Sequence, residues 1–126
     1  MYEYNAILDR VVDGDTIDVT IDLGFNVWKK IRVRMEGINT PESRTRDLEE
    51  KKRGLAAKDR LVEILELNNN KCTLHVSGVG KFGRAIANVF VTSLSPTHDD
   101  SSLTLINVNQ QLIVEGHAKE YYGGKR

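Results

Sequence analysis

Asp15 follows Asp13-Gly14 and opens an apolar run, so a turn there presents its carboxylate at the start of a strand. A hard divalent cation takes oxygen ligands, and a carboxylate so placed is one group that can hold it, with Asp13 as a candidate companion. The same residues also make a plain hairpin turn. Arg34 to Glu42 runs Arg-Met-Glu-Gly-Ile-Asn-Thr-Pro-Glu. Here Asn39 and the Thr40 carbonyl are candidate oxygen ligands, Glu42 is a candidate general base for an attacking water, and the planar fork of Arg34 matches a phosphate. The competing interpretation of this segment is local: Thr40 caps a helical turn, Pro41 takes its first position and Glu42 complements the dipole. Lys81-Phe82-Gly83-Arg84 is either a glycine turn with solubilising charges or the source of a second arginine for the same phosphate. Attack on a phosphodiester builds negative charge on its non-bridging oxygens. One cation and two guanidiniums would offset that charge where it develops.

These segments need a scaffold that brings distant loops together. Residues 4–12 and 15–23 are rich in Val, Ile and Leu, and residues 17–23 alternate apolar and polar, the pattern of a half-buried strand. Asp13-Gly14 between them signals a hairpin whose turn calls for positive φ. A third strand is expected from 26 to 36, where Ile31, Val33 and Met35 alternate with Arg32 and Arg34. Residues 46–67 then change period. Leu48, Leu55 and Val62 recur every seven residues, Leu61 and Leu65 lie four apart, and acids lead bases, which predicts an amphipathic helix that only Gly54 weakens and Asn68-Asn69-Asn70 ends. Residues 71–77 and 84–93 read as two more strands around a glycine-rich turn, and 93–102 as a loop. Asn107 with Gln110 three residues on is a capping-box variant that starts a short helix running to Gly116. Three strands, a helix, two strands and a short helix fit a mainly β fold with some α, a five-stranded Greek-key barrel of the OB type.

The 126 residues suit one domain spanning 1–126, with 121–126 expected as a flexible tail. The chain is 40% hydrophobic and 29% charged, which argues against disorder. Cys72 is the sole cysteine, so an internal disulfide is excluded. No apolar run approaches the ~20 residues of a membrane span. Met1 to Asn5 carries no secretory pattern, so an intracellular location is expected. Net charge is zero, unusual for a nucleic-acid binder, but it is unevenly spread. Residues 1–28 hold six acids and one base, and residues 29–60 hold eleven bases and six acids. That asymmetry suits a site holding a cation and a phosphate together; it also suits two solvated faces.

Taken together, the Asp-Gly-Asp-Thr turn, an arginine eight residues before the glutamate of Thr-Pro-Glu, a helix, and then Lys-aromatic-Gly-Arg resemble the staphylococcal (micrococcal) nuclease family over roughly residues 5–122. The resemblance implies a calcium-dependent endonuclease on an OB barrel, acting on DNA and RNA and leaving 3′-phosphate and 5′-hydroxyl ends. By it, Asp15, Asn39 and the Thr40 carbonyl hold the ion, Glu42 activates water, and Arg34 and Arg84 brace the phosphoryl oxygens. Lys81 and the aromatic residue after it bind a second phosphate, and Tyr122 matches one of two pocket tyrosines.

The chain departs from that pattern in places. Asn39 stands where the founding enzyme has an aspartate ligand, so weaker calcium binding and a less sharp metal preference are expected. Phe82 replaces a tyrosine at the second phosphate, and Gly124 occupies the second pocket-tyrosine position, with Tyr121 as a candidate substitute. The family continues into a third helix, so one side of the barrel is expected bare, with a homodimer as a candidate cover. The compact form is similar to phage-encoded members. His75, His98 and His117 lack metal-type spacing, and Trp28 is expected in packing. The alternative is a non-catalytic OB module that binds nucleic acid or a protein. Such a module would have no reason to keep Asp15, Arg34, Glu42 and Arg84 together.

Overall fold

The computed structural model describes residues 2–94 and 104–121. Its elements are β1 (Tyr2–Asp13), β2 (Thr16–Asp22), β3 (Trp28–Met35), β4 (Ile38–Asn39), α1 (Leu48–Leu67), β5 (Lys71–Val79), β6 (Ala85–Val91), β7 (Ile106–Asn107), α2 (Val108–Val114) and β8 (Lys119–Glu120). β1, β2 and β3 form an antiparallel meander, and β5 and β6 add to its β1 edge. Parallel pairing of β3 with β6, from Val33 opposite Ala85 to Met35 opposite Ala87, closes five strands into a barrel with helices outside it. This is the OB-type order expected.

Strict alternation turns Ile17, Val19 and Ile21 of β2 inward, and Ala85, Ala87, Val89 and Val91 of β6 likewise. Two register shifts in β1, at Leu8/Arg10 and Val11/Asp13, mark irregularities that let the strand curve, and both Val11 and Val12 are buried there. The two-residue pairs β4, β7 and β8 had no sequence signature, because two residues show no period.

α1 begins at Leu48, two residues later than expected, because Asp47 caps it: the Asp47 carboxylate accepts hydrogen bonds from Glu49 N (3.0 Å) and Glu50 N (3.2 Å). It ends at the asparagine run, where Asn69 (φ 58°) and Asn70 (φ 59°) take the left-handed conformation that asparagine tolerates. Its buried face includes Leu61 and Leu65 as expected and departs from the expected one nearer the N-terminus. Leu48 is 79% and Leu55 40% exposed, whereas Gly54, Ala57, Leu61, Ile64 and Leu65 face the barrel. The heptad of large residues misled because the segment nearest the loops needs small side chains, as described below. Trp28, expected in packing, is half exposed at the start of β3.

Asn107 caps α2 as expected, accepting from Gln110 N at 3.1 Å, and Gly116 (φ 81°) follows its end. Asn109, fully buried, ties α2 to the barrel. Its Oδ1 accepts from Val89 N (3.0 Å), and its Nδ2 donates to Glu36 O (2.8 Å) and Ala87 O (3.3 Å). Asn109→Leu removes those bonds together; Ala87 O keeps Glu36 N (2.8 Å), but Val89 N and Glu36 O lose the amide, at about 1–3 kcal/mol each. A loss of about 2–4 kcal/mol in urea unfolding is expected. A change below about 0.5 kcal/mol would mean that water replaces the amide.

Candidate active site

The site is assembled at the end of the β2–β3 hairpin. The turn joining β1 and β2 comprises Gly14 and Asp15, since Asp13 pairs with Thr16. Gly14 does not adopt the positive φ expected of it. What it supplies is space: a Cβ there would lie 2.8 Å from Ala57 Cβ and 3.0 Å from Thr40 Cγ2 and Oγ1. The turn is therefore pressed between α1 and the loop after β4.

Asp15 is buried and held at both carboxylate oxygens and at its carbonyl. Its Oδ1 accepts from Thr16 Oγ1 (3.0 Å), its Oδ2 from Thr40 N (3.0 Å), and its carbonyl from Met35 N (2.8 Å). Arg34 Nη2 lies 3.6 Å from Oδ2. The same nitrogen donates to Ile38 O (2.9 Å) and to Asn39 Oδ1 (3.4 Å), while Nη1 donates to Met35 O (3.0 Å). Asp15 from the β1–β2 turn and Asn39 from β4 thus place oxygens around one positive nitrogen. That arrangement costs less than an isolated buried carboxylate would, because the guanidinium and two donors offset desolvation.

The segment from Thr40 to Arg46 contains no helical turn, so the local capping interpretation fails: the cap is Asp47, and Thr40 lends its backbone N–H to Asp15 instead. Asp13 serves as a latch, its Oδ1 accepting from Ser43 Oγ. The loop then rests on α1 at Gly54, where a Cβ would lie 2.3 Å from Glu42 O and 2.7 Å from Ser43 N. Glu42 is exposed, on the wall of a cleft shared with Asn39, Thr40, Arg53, His117 and Lys119.

Arg84 stands one residue before Ala85, which pairs with Val33, so it comes to the strand beside Arg34. Its guanidinium is turned onto its own 3₁₀ turn, with Nε donating to Lys81 O (3.3 Å) and its centre 5.9 Å from the centre of the Phe82 ring. Lys81 and Phe82 are exposed on that turn, and Phe82 has φ 62°. Tyr121 donates its backbone N–H to Gly37 O (2.9 Å), joining the segment after β8 to the turn before Asn39. Tyr122, His98 and most of the expected tail lie outside the described residues.

The structure thus brings Asp15, Arg34, Asn39 and Thr40 into direct contact, sets Glu42 beside them, and leaves Lys81, Phe82 and Arg84 on the adjoining turn. Sequence reasoning overlooked Gly54, treated only as a weak point in a helix. A lone glycine inside an otherwise helical pattern was the available signal for a close approach. It also overlooked Lys119, which pairs with Asn39 across β4 and β8, and for which no local pattern exists.

Comparison with known proteins agrees with this geometry. The family model described as staphylococcal nuclease homologue matches residues 32–126, a stretch that includes Arg34, Asn39, Thr40, Glu42 and Arg84. The chain is also similar to the endonuclease YhcR of Bacillus subtilis (strain 168), with 31% identity over 127 residues, 95% of this chain and 9% of that protein. It therefore spans a small part of that relative's length. With most of its length matched by the family model and the expected barrel present, the chain belongs to the staphylococcal nuclease homologue family.

Proposed function

We propose that this domain is a calcium-dependent endonuclease that hydrolyses phosphodiester bonds of DNA, with RNA as a second substrate, leaving 3′-phosphate and 5′-hydroxyl ends. The observation that carries this is the convergence of Asp15 Oδ2 and Asn39 Oδ1 on Arg34 Nη2, at 3.6 and 3.4 Å. Oxygens of a carboxylate and an amide, near the Thr40 backbone, are the donors a hard cation takes. Asp15, Asn39 and the Thr40 carbonyl would hold the ion. When bound, it supplies positive charge to the phosphoryl oxygens.

The protein's own groups do the rest. Arg34 and Arg84 bind the non-bridging oxygens, where negative charge grows as the attacking water approaches phosphorus. Glu42 accepts that water's proton as the new phosphorus–oxygen bond forms. The bond from phosphorus to the 5′-oxygen breaks, its electron pair leaves with that oxygen, and solvent protonates it. The family membership and the endonuclease relative support this class of reaction.

The test is cleavage of single-stranded DNA with calcium, against a chelator control and Glu42→Ala. Calcium-dependent cutting by the wild type is expected, with a rate about 10²–10⁴-fold lower in the variant, the usual contribution of a positioned general base. DNA binding without cutting in calcium, magnesium or manganese would instead establish a binding module.

A further inference from the structure

The cleft next to Glu42 contains two cations that the proposed chemistry does not use. Lys119 lies on β8, whose pairing with β4 sets it opposite Asn39. Backbone hydrogen bonds from His117 N (2.9 Å) and Ala118 N (3.1 Å) to Leu112 O hold the approach to that strand. Arg53 enters from α1, one residue before the glycine on which the Glu42–Ser43 peptide rests. Both cations line the cleft together with Asn39, Thr40 and Glu42.

Among the described residues, Arg10, Arg32 and Arg60 are paired with carboxylates, whereas neither Arg53 nor Lys119 has one within 4.0 Å. Glu50 also stands in the wall, so the cleft is not uniformly basic. The positive end is the β8 side, where the neighbour across the strand pair is the neutral Asn39. Facing side chains in an antiparallel pair lie about 5 Å apart at Cβ, so the Lys119 ammonium is within one side chain's length of the proposed ion ligands.

We propose that Lys119, assisted by Arg53, forms a subsite for the phosphate adjacent to the scissile one in a polynucleotide strand. This rests on the nuclease reading of the neighbouring site. A polynucleotide held at Asn39 and Glu42 must continue out of the site, and the cleft with two uncommitted cations gives its backbone a path. Contacts of this kind fix register without reading sequence. The subsite therefore acts on KM and on salt dependence, for every base sequence alike. It is separate from Lys81, which stands on the β5–β6 turn.

The experiment compares a dinucleotide carrying only the scissile phosphate with a tetranucleotide, in calcium at low salt. Wild type, Lys119→Ala, Lys119→Arg and Lys71→Ala, a distant exposed lysine, are measured. For Lys119→Ala, KM for the tetranucleotide is expected to rise about tenfold, as for loss of one charged hydrogen bond. KM for the dinucleotide changes much less, and the log–log salt slope falls by about one. Lys119→Arg retains the tetranucleotide preference, and Lys71→Ala matches wild type. Equal losses on both substrates would place Lys119 in the scissile site or the fold. An unchanged tetranucleotide KM would make it a solvated surface charge. Either result overturns the subsite. If wild type cleaves neither substrate, the nuclease reading fails by itself. Calorimetric binding of the tetranucleotide to wild type and Lys119→Ala then decides the subsite, equal affinities overturning it.

Discussion

Lysine in place of Arg34 is expected to slow cleavage by about 10²–10³-fold at saturating substrate, the cost of losing one preorganised oxyanion donor. The substitution keeps the charge and removes the fork. Arg34 reaches the Met35 and Ile38 carbonyls, the amide oxygen of Asn39 and the carboxylate of Asp15 with one planar group. An ammonium is a point charge and cannot span those positions or grip a phosphate with two parallel bonds. Single-turnover rates with saturating calcium read the effect, and urea unfolding of the same protein separates it from loss of fold. A rate within threefold of wild type would mean that charge alone is used at this position. The expected loss is larger than for a surface arginine, because the Arg34 side chain is only 19% exposed and bound water replaces its bonds poorly.

Gly54→Ala tests whether the helix holds Glu42 in place. The added methyl would begin 2.3 Å from Glu42 O and 2.4 Å from its carbonyl carbon, distances no side chain rotation relieves, since both contacts are backbone. α1 is clamped six residues further along, where Arg60 pairs with Glu115 (2.6 Å) and that guanidinium holds the Glu115 carboxyl below the usual range. The loop is the softer partner and must retreat. Displacement of a catalytic group by about 1 Å lowers rates about 10²-fold. Overpacking costs about 1–3 kcal/mol, partly offset by roughly 1 kcal/mol from alanine's better helix propensity. A folded protein with kcat reduced about 10²-fold and little change in DNA affinity is therefore expected. Wild-type kcat in a folded Gly54→Ala protein would show that the loop relaxes without moving the Glu42 side chain.

Much of the frame was legible along the chain. Alternation in β2, the Asn107 cap and the asparagine run after α1 each express an interaction between near neighbours: a pleat, a local hydrogen bond, a tolerated left-handed φ. The order of the Asp-Gly-Asp, Thr-Pro-Glu and Lys-Phe-Gly-Arg segments likewise needed only sequence to suggest one site.

Other features had no local expression. Thr40 could as well have capped a helix; that its N–H goes to Asp15 depends on a loop 25 positions away. Nothing near Asp13 in the sequence announced that Ser43, 30 positions on, would donate to its carboxylate. Gly14 and Gly54 looked like a conformational need and a flaw, yet both are close approaches that leave little room for a methyl group, to the Ala57 and Thr40 side chains at Gly14 and to the Glu42–Ser43 backbone at Gly54. Lys119 acquires its place opposite Asn39 from a pair of two-residue strands. The long strands and both helices could be read along the chain because their causes lie within a few residues. The contacts among Asp15, Arg34, Asn39 and Thr40, and the two-residue strands beside them, could not, because excluded volume and the pairing of distant segments act through space and leave no period to read.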